Sequence, residues 1–177
     1  MKKIIHKCFW AWNFDKEENW LNEMSAKGLQ LCKVGFCRFV FEEGLPGEYA
    51  YRLELLNKRL KHSASVQYIR SIEDTGAEHI GSVLNWVYFR KKTDGNGFDF
   101  FSDNNSRIQH LSRILSILGI LSVINIFSGF NQIVSWTSSG ISINLITAII
   151  NFAVGGLLGY GSIKIFSKQR KLKKEKN

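Results

Sequence analysis

ILSILGILSVINIFSGFNQIVSWTSSGISINLITAIINFAVGGLLGYGSI, from Ile114 to Ile163, contains no Asp, Glu, Lys, Arg or His. Charged residues make up 22% of the chain, so fifty consecutive positions without one mark a physically separate region. One helical crossing of a bilayer takes about 20 apolar residues, so this length predicts two crossings and a short turn. The expected spans are 111–134 and 141–166. Ser135-Trp136-Thr137-Ser138-Ser139-Gly140 forms the turn at 135–140, and Trp136 suits an interface.

Cations flank the tract at both ends and are missing from its middle. Arg107 and Arg113 precede it, Lys164, Lys168, Arg170, Lys171, Lys173, Lys174 and Lys176 follow it, and the turn has none. The positive-inside rule then predicts a multi-pass protein with both termini in the cytoplasm. Residues 1–113 carry 17 Lys+Arg against 14 Asp+Glu, while 164–177 carry seven against one, so most of the formal +9 sits in the tail. A basic tail at 167–177, with Lys168, Arg170, Lys171, Lys173 and Lys174, is expected to lie against anionic lipid headgroups. That placement argues against nucleic acid as a partner, which requires cations clustered on a folded face.

Small and polar residues line one face of each span: Gly119, Ser122 and Asn125 on the first, Asn151, Gly155 and Gly159 on the second. Such stripes let helices approach closely in lipid. Folding about position 137 or 138 predicts an Asn125–Asn151 hydrogen bond and places Gly119 level with Gly156. A competing reading takes Gly155-x-x-x-Gly159 as a motif through which two copies would form a homodimer. With no Asp, Glu, Lys, Arg or His from Ile114 to Ile163, an anchor is expected in place of a transporter or channel.

Residues 1–93 alternate strand and helix signals. Ile4–Trp12 reads as a strand, and Asp15 opens a helix with Glu18 in capping-box position. Trp20, Leu21 and Met24 supply the apolar stripe of that helix, and Gly28 stops it. Leu29–Phe41 reads as one long strand bent at Gly35. Glu43–Gly47 makes a turn into Glu48–Leu56, Ser65–Thr75 is a second helix, and Ile80–Lys92 is the last strand. The order βαββαβ predicts an α+β, ferredoxin-like sandwich with one uncovered sheet face. Residues 94–110 are a linker with a juxtamembrane helix capped by Asp103.

The start, Met1-Lys2-Lys3-Ile4-Ile5-His6-Lys7, lacks the uninterrupted apolar run and cleavage site of an export signal. Cys8, Cys32 and Cys37 read as reduced, half-buried thiols. A zinc site from them and His6 is excluded because the expected strands lie too far apart. His6, His62, His79 and His110 have no nucleophile partner at a recognisable spacing, and Glu17-Glu18 and Glu42-Glu43 read as solvated pairs. No phosphate loop or cofactor motif is present. Lys33–Phe41 echoes an RNA-recognition run, but on the wrong strand.

Several blocks resemble a bacterial family, domain of unknown function 2812. They are Phe9-Trp10-Ala11-Trp12-Asn13-Phe14, Glu18 with Trp20-Leu21-Asn22-Glu23-Met24-Ser25-Ala26-Lys27-Gly28, Gly47–Arg52, Thr75-Gly76-Ala77-Glu78, Trp86–Lys92 and Phe101-Ser102-Asp103. The resemblance covers roughly residues 6–105 and implies no activity or catalytic residue. It implies a bacterial inner-membrane protein, and a link to PadR-like regulators through gene neighbourhood. The expected role is a non-enzymatic regulatory or signalling module that binds a protein partner through the open sheet face and the strand carrying Tyr49, Tyr51 and Arg52. The alternative is an accessory subunit of a larger membrane complex such as a transporter.

Overall fold

The computed structural model describes residues 2–93 and 104–176. The corner at Asp94–Gly97, the aromatic run Phe98–Phe101 and the Asp103 cap lie outside the described residues. The chain divides into two compact units, Met1–Asp103 and Asn104–Asn177. It is a mixed α+β protein.

Among its described residues the first unit holds six strands, two helices and a 3-10 turn at Ala11–Asn13. In chain order they are β1 (Lys2–His6), α1 (Phe14–Ala26), β2 (Leu29–Gly35), β3 (Arg38–Glu43), β4 (Tyr49–Leu55), α2 (Ser63–Glu73), β5 (Ala77–Val83) and β6 (Trp86–Lys92). They form two three-stranded antiparallel sheets, ordered β1-β3-β2 and β4-β6-β5. This corrects the expected four-stranded sandwich. Each long strand is in fact a hairpin, Leu29–Phe41 turning at Phe36-Cys37 and Ile80–Lys92 at Leu84-Asn85. Cys37 and Leu84 take positive φ, 51° and 55°. Two-residue turns normally announce themselves with glycine or asparagine at such positions, which here are Cys and Leu.

The two sheets are repeats of one βαββ unit. Gly28 and Gly76, 48 positions apart, both end a helix at positive φ (78° and 84°). The same offset relates the register shift between Leu31 and Lys33 to that between His79 and Gly81. It also carries Phe36 to Leu84 at the turns, and the buried core residues Leu21, Phe39 and Phe41 to Ile69, Val87 and Phe89. Beyond those core positions the two halves share few side chains, so the duplication is one of backbone.

Helix α1 begins two residues earlier than the capping box predicts, with Asn13 at its N-cap in place of Asp15 and no side-chain capping bond. Glu18 is not part of a capping box. It faces β4, together with Asn22 and Ser25. In α2, the His62 ring accepts from Ala64 N–H (3.2 Å) and caps the helix.

Cys8 and Cys37 form a disulfide, Cα–Cα 4.6 Å, and Cys32 is free. The expectation of three separated thiols fails because β1 pairs with β3, His6 opposite Arg38, which brings the residues after β1 onto the β2–β3 turn.

The second unit is a helical pair, α3 (Asn104–Ser139) and α4 (Ser142–Lys176). Each contains a 33-residue stretch, Arg107–Ser139 and Ser142–Lys174, long and apolar enough to cross a membrane. Gly140 (φ 66°) makes the reversal, two or three residues later than the expected fold point. The facing residues shift accordingly. Ser122 Oγ donates to Gly155 O (2.8 Å), and Asn151 Nδ2 reaches Ser128 Oγ (3.4 Å). Asn125 instead bonds Leu121 O on its own helix, so the expected Asn125–Asn151 pair is absent. A Cβ at Gly155 would stand 2.8 Å from Ile126 Cγ1 and one at Gly159 3.3 Å from Ser122 Oγ, whereas Gly119 faces open space. Gly155 and Gly159 therefore pack within the hairpin, and Gly119 does not. The basic tail is the end of α4: Arg170, Lys171, Lys173 and Lys174 are exposed, Lys168 is half-buried, and Gln169 turns inward to Ile108 O and Ser112 Oγ.

Candidate functional site

Two stripes of α1, one residue out of phase, organise the first unit. Glu18, Asn22 and Ser25 recur at helical spacing and meet Leu53, Tyr51 and Tyr49, alternate residues of β4. Glu18 Oε2 accepts from Leu53 N–H (3.1 Å), and its other oxygen accepts from Arg52 (3.0 Å). The Asn22 amide brackets Tyr51, accepting from its N–H (2.8 Å) and donating to its carbonyl (3.2 Å). Ser25 Oγ donates to Tyr49 O (2.6 Å). Since β4 ends its sheet, α1 supplies side chains where a neighbouring strand would otherwise pair, which is one way proteins blunt an exposed edge.

This placement revises the expected docking residues. Tyr51 is fully buried. Its hydroxyl accepts from Leu31 N–H (2.8 Å) and donates to Gln30 Oε1 (3.1 Å), and burial pushes its pKa up to about 12. Arg52 is held by Glu18. Tyr49 lies half-buried beneath the Arg90 guanidinium, 4.3 Å from the ring centre. Arg90 also pairs with Glu78 (2.8 Å) and donates to Leu31 O (3.3 Å), tying β6 to β2. These residues hold the two sheets together and leave no open face around Tyr51.

The second stripe is Glu17, Leu21 and Met24. Leu21 and Met24 enter the core, and Glu17 lines a cleft of about 210 Å³ where the tips of the two hairpins meet the segment following β1. The walls come from Phe9, Phe14, Phe39 and Trp86, with Phe36 and Leu84 at the turns. Phe9 packs on Trp20 (5.5 Å between centres) and edge-on to Phe39 (6.3 Å), and Phe14 stacks on Trp86 (5.7 Å). Offset and edge-on pairs of this kind stabilise by about 0.5–1.5 kcal/mol each beyond their buried area.

Among the described residues, two charged groups line the cleft. Lys7 places its ammonium over the rings of Phe9 (4.9 Å) and Trp20 (4.6 Å). Glu17 is 8% exposed, and its Oε1 accepts from the Tyr88 hydroxyl at 2.6 Å. Burial raises the Glu17 pKa, and the Tyr88 bond offsets part of that rise. Tyr88 is itself raised, by burial and then by the neighbouring carboxylate. Phe36 and Leu84 are each 83% exposed, large apolar side chains standing in solvent at equivalent turns of the two repeats.

Reading Glu17-Glu18 as a solvated pair was wrong for both residues. The available signal was periodicity: Glu17 lies four residues before Leu21 and seven before Met24, on the apolar stripe itself. Phe36, Leu84 and Tyr88 had no such signal, because their convergence depends on two hairpins hidden inside apparent single strands.

Residues 13–123 of the 177 match the model of the family described as "Protein of unknown function (DUF2812)". The chain belongs to this family. No curated protein and no solved structure matches it. The matched region of this DUF2812 member takes in α1 with both its stripes, both hairpins and the first part of α3.

Proposed function

We propose that this DUF2812 protein is a membrane-anchored, non-enzymatic regulatory or signalling module that works by binding, with a protein as its downstream partner. The observation that carries this reading is the aromatic cleft, whose lining brings one carboxylate and one ammonium among apolar walls. That composition suits holding a molecule: pockets for small ligands are mostly apolar, with few and specifically placed polar groups. The apolar helical pair is the anchor in this reading, and the basic end of α4 lies against anionic headgroups.

The protein partner is assigned to β1. It ends its sheet opposite β3, its residues are largely exposed, and Ile4 is 50% exposed. A partner adds there as a further strand, a mode in which backbone hydrogen bonds supply the affinity. The accessory-subunit alternative relied on a free glycine stripe, and α3 now occupies Gly155 and Gly159.

The test is photo-cross-linking in intact cells, followed by mass spectrometry, with the reactive residue at Ile4 and at exposed Val66 on α2. Capture of one protein from Ile4 and not from Val66 is the expected result. No capture from either site refutes the reading. Orientation is checked by thiol labelling from outside the cell. In the proposed orientation, which rests on the positive-inside rule, the first unit faces the cytoplasm and all three cysteines escape an impermeant reagent, whereas labelling of the free Cys32 from outside refutes it.

A further inference from the structure

We infer that the cleft between the hairpin tips is a binding site for a small organic cation with an apolar body, such as an aryl- or alkylammonium, with Glu17 as its counter-charge. The inference rests on the reading of this unit as a binding module and names the class of ligand.

Charge and geometry both point this way. Among the described residues, the Glu17 carboxylate is one of two charged groups on the lining, and it is largely buried, with 8% of the residue exposed. Tyr88 satisfies Oε1 at 2.6 Å, and Oε2 makes no hydrogen bond to any described residue. Oε2 is not sealed off by protein atoms, so it is open to the cleft, and an entering cation meets the carboxylate there and supplies the missing positive charge. The walls suit the same ligand. Aromatic faces attract cations through their quadrupole, more strongly where water is excluded. This cluster already does so at its edge, where Lys7 Nζ lies 4.9 Å from the Phe9 centre and 4.6 Å from that of Trp20. A quaternary or substituted ammonium matches both features: its charge faces Glu17 and its carbon surface faces Phe14 and Trp86. Among the described lining residues, an anion would have only Lys7 to meet it and would face the carboxylate at close range.

The experiment uses the full chain in lipid nanodiscs, with calorimetric titration against empty nanodiscs as the blank. Three probes of similar size separate the possibilities: phenyltrimethylammonium, its neutral carbon isostere tert-butylbenzene, and benzenesulfonate. The expected result is that phenyltrimethylammonium binds at least about tenfold more tightly than either other probe. Glu17→Gln should erase that preference while retaining binding of the neutral isostere, because Gln still accepts from Tyr88. Tyr88→Phe should keep the preference, since the carboxylate remains. Equal or tighter binding of the neutral probe to wild type, tightest binding of benzenesulfonate, or a cation preference that survives Glu17→Gln would each overturn the inference. So would no binding of any probe to a protein whose melting is cooperative. Failure here with capture at Ile4 intact removes the ligand class alone. Cation binding without any capture at Ile4 removes the partner reading and leaves the ligand class standing.

Discussion

The two βαββ repeats share a backbone but not a task. In the first, α1 bonds to β4 of the second through Glu18, Asn22 and Ser25. In the second, the positions 48 residues on are Val66, Arg70 and Glu73, all exposed, and β1 of the first repeat has no comparable cover. A duplicated scaffold therefore has one sealed edge and one open edge. The core positions are kept apolar because both copies need a sheet packed on a helix. The edge-facing stripe is free to diverge, and in α1 it became polar and specific. The same helix places a carboxyl, Glu17, where the second repeat has Ser65, a buried hydroxyl bonded to Lys58 O. The cleft and its charge thus belong to one half of the duplication.

The largest effects should appear where the repeats agree. Phe41→Ala and Phe89→Ala each delete a fully buried ring, and each should cost about 3–5 kcal/mol in denaturant unfolding. A large loss at one position and almost none at the other would break the equivalence of the two cores.

Next come the positions where the repeats differ. Asn22→Ala leaves the Tyr51 N–H without its partner, while the Tyr51 carbonyl keeps Arg52 Nη1 (3.1 Å), and should destabilise by about 1–3 kcal/mol, the usual cost of an unsatisfied buried group. Its counterpart Arg70→Ala, on an exposed face, should stay within about 0.5 kcal/mol. Similar losses from both would mean that α1 does not seal β4 through Asn22.

In the helical pair, Gly155→Ala drives a Cβ to 2.8 Å from Ile126 Cγ1 and should loosen the hairpin by about 1–3 kcal/mol. Gly119→Ala meets nothing within 4 Å and should be neutral or stabilising by up to about 1 kcal/mol through helix propensity. Proximity of cysteines placed across the seam reports both.

The subtlest test is pH. The Glu17 pKa is raised from its ordinary value of 4.5, so the folded state holds that proton more tightly than the unfolded chain does. Protonation therefore favours folding, and this contribution is lost as pH rises from 4.5 through the folded pKa. Wild type and Glu17→Gln should have similar stability at acid pH, and the variant should gain on wild type toward neutrality. Parallel stability curves would place Glu17 in solvent and remove the asymmetry at its source.

Much of this was legible in the residues. The uncharged tract announced two long apolar helices, and the aromatic and WLNEM-type blocks announced the family. The periodicity of Leu21 and Met24 located α1, and Gly28 its end. The Gly155–Gly159 stripe marked a packing face, though its register moved once Gly140 took the turn. The sheets were not legible. Residues 29–41 and 80–92 are apolar and β-prone throughout, and nothing in their composition separates one long strand from two short ones joined at Cys37 or Leu84.

What the chain determined by itself is local: which segments are apolar, at what period, and where glycine permits a reversal. Hydropathy and backbone propensity act over a few residues and survive any arrangement of the rest. What only the folded molecule decided is which polar groups meet. The Cys8–Cys37 bond, the seal of α1 on β4 and the burial of Glu17 against Tyr88 each join residues from different elements. A carboxylate carries no mark of its surroundings until two hairpins close over it, because burial is a property of the whole packed unit and not of the position.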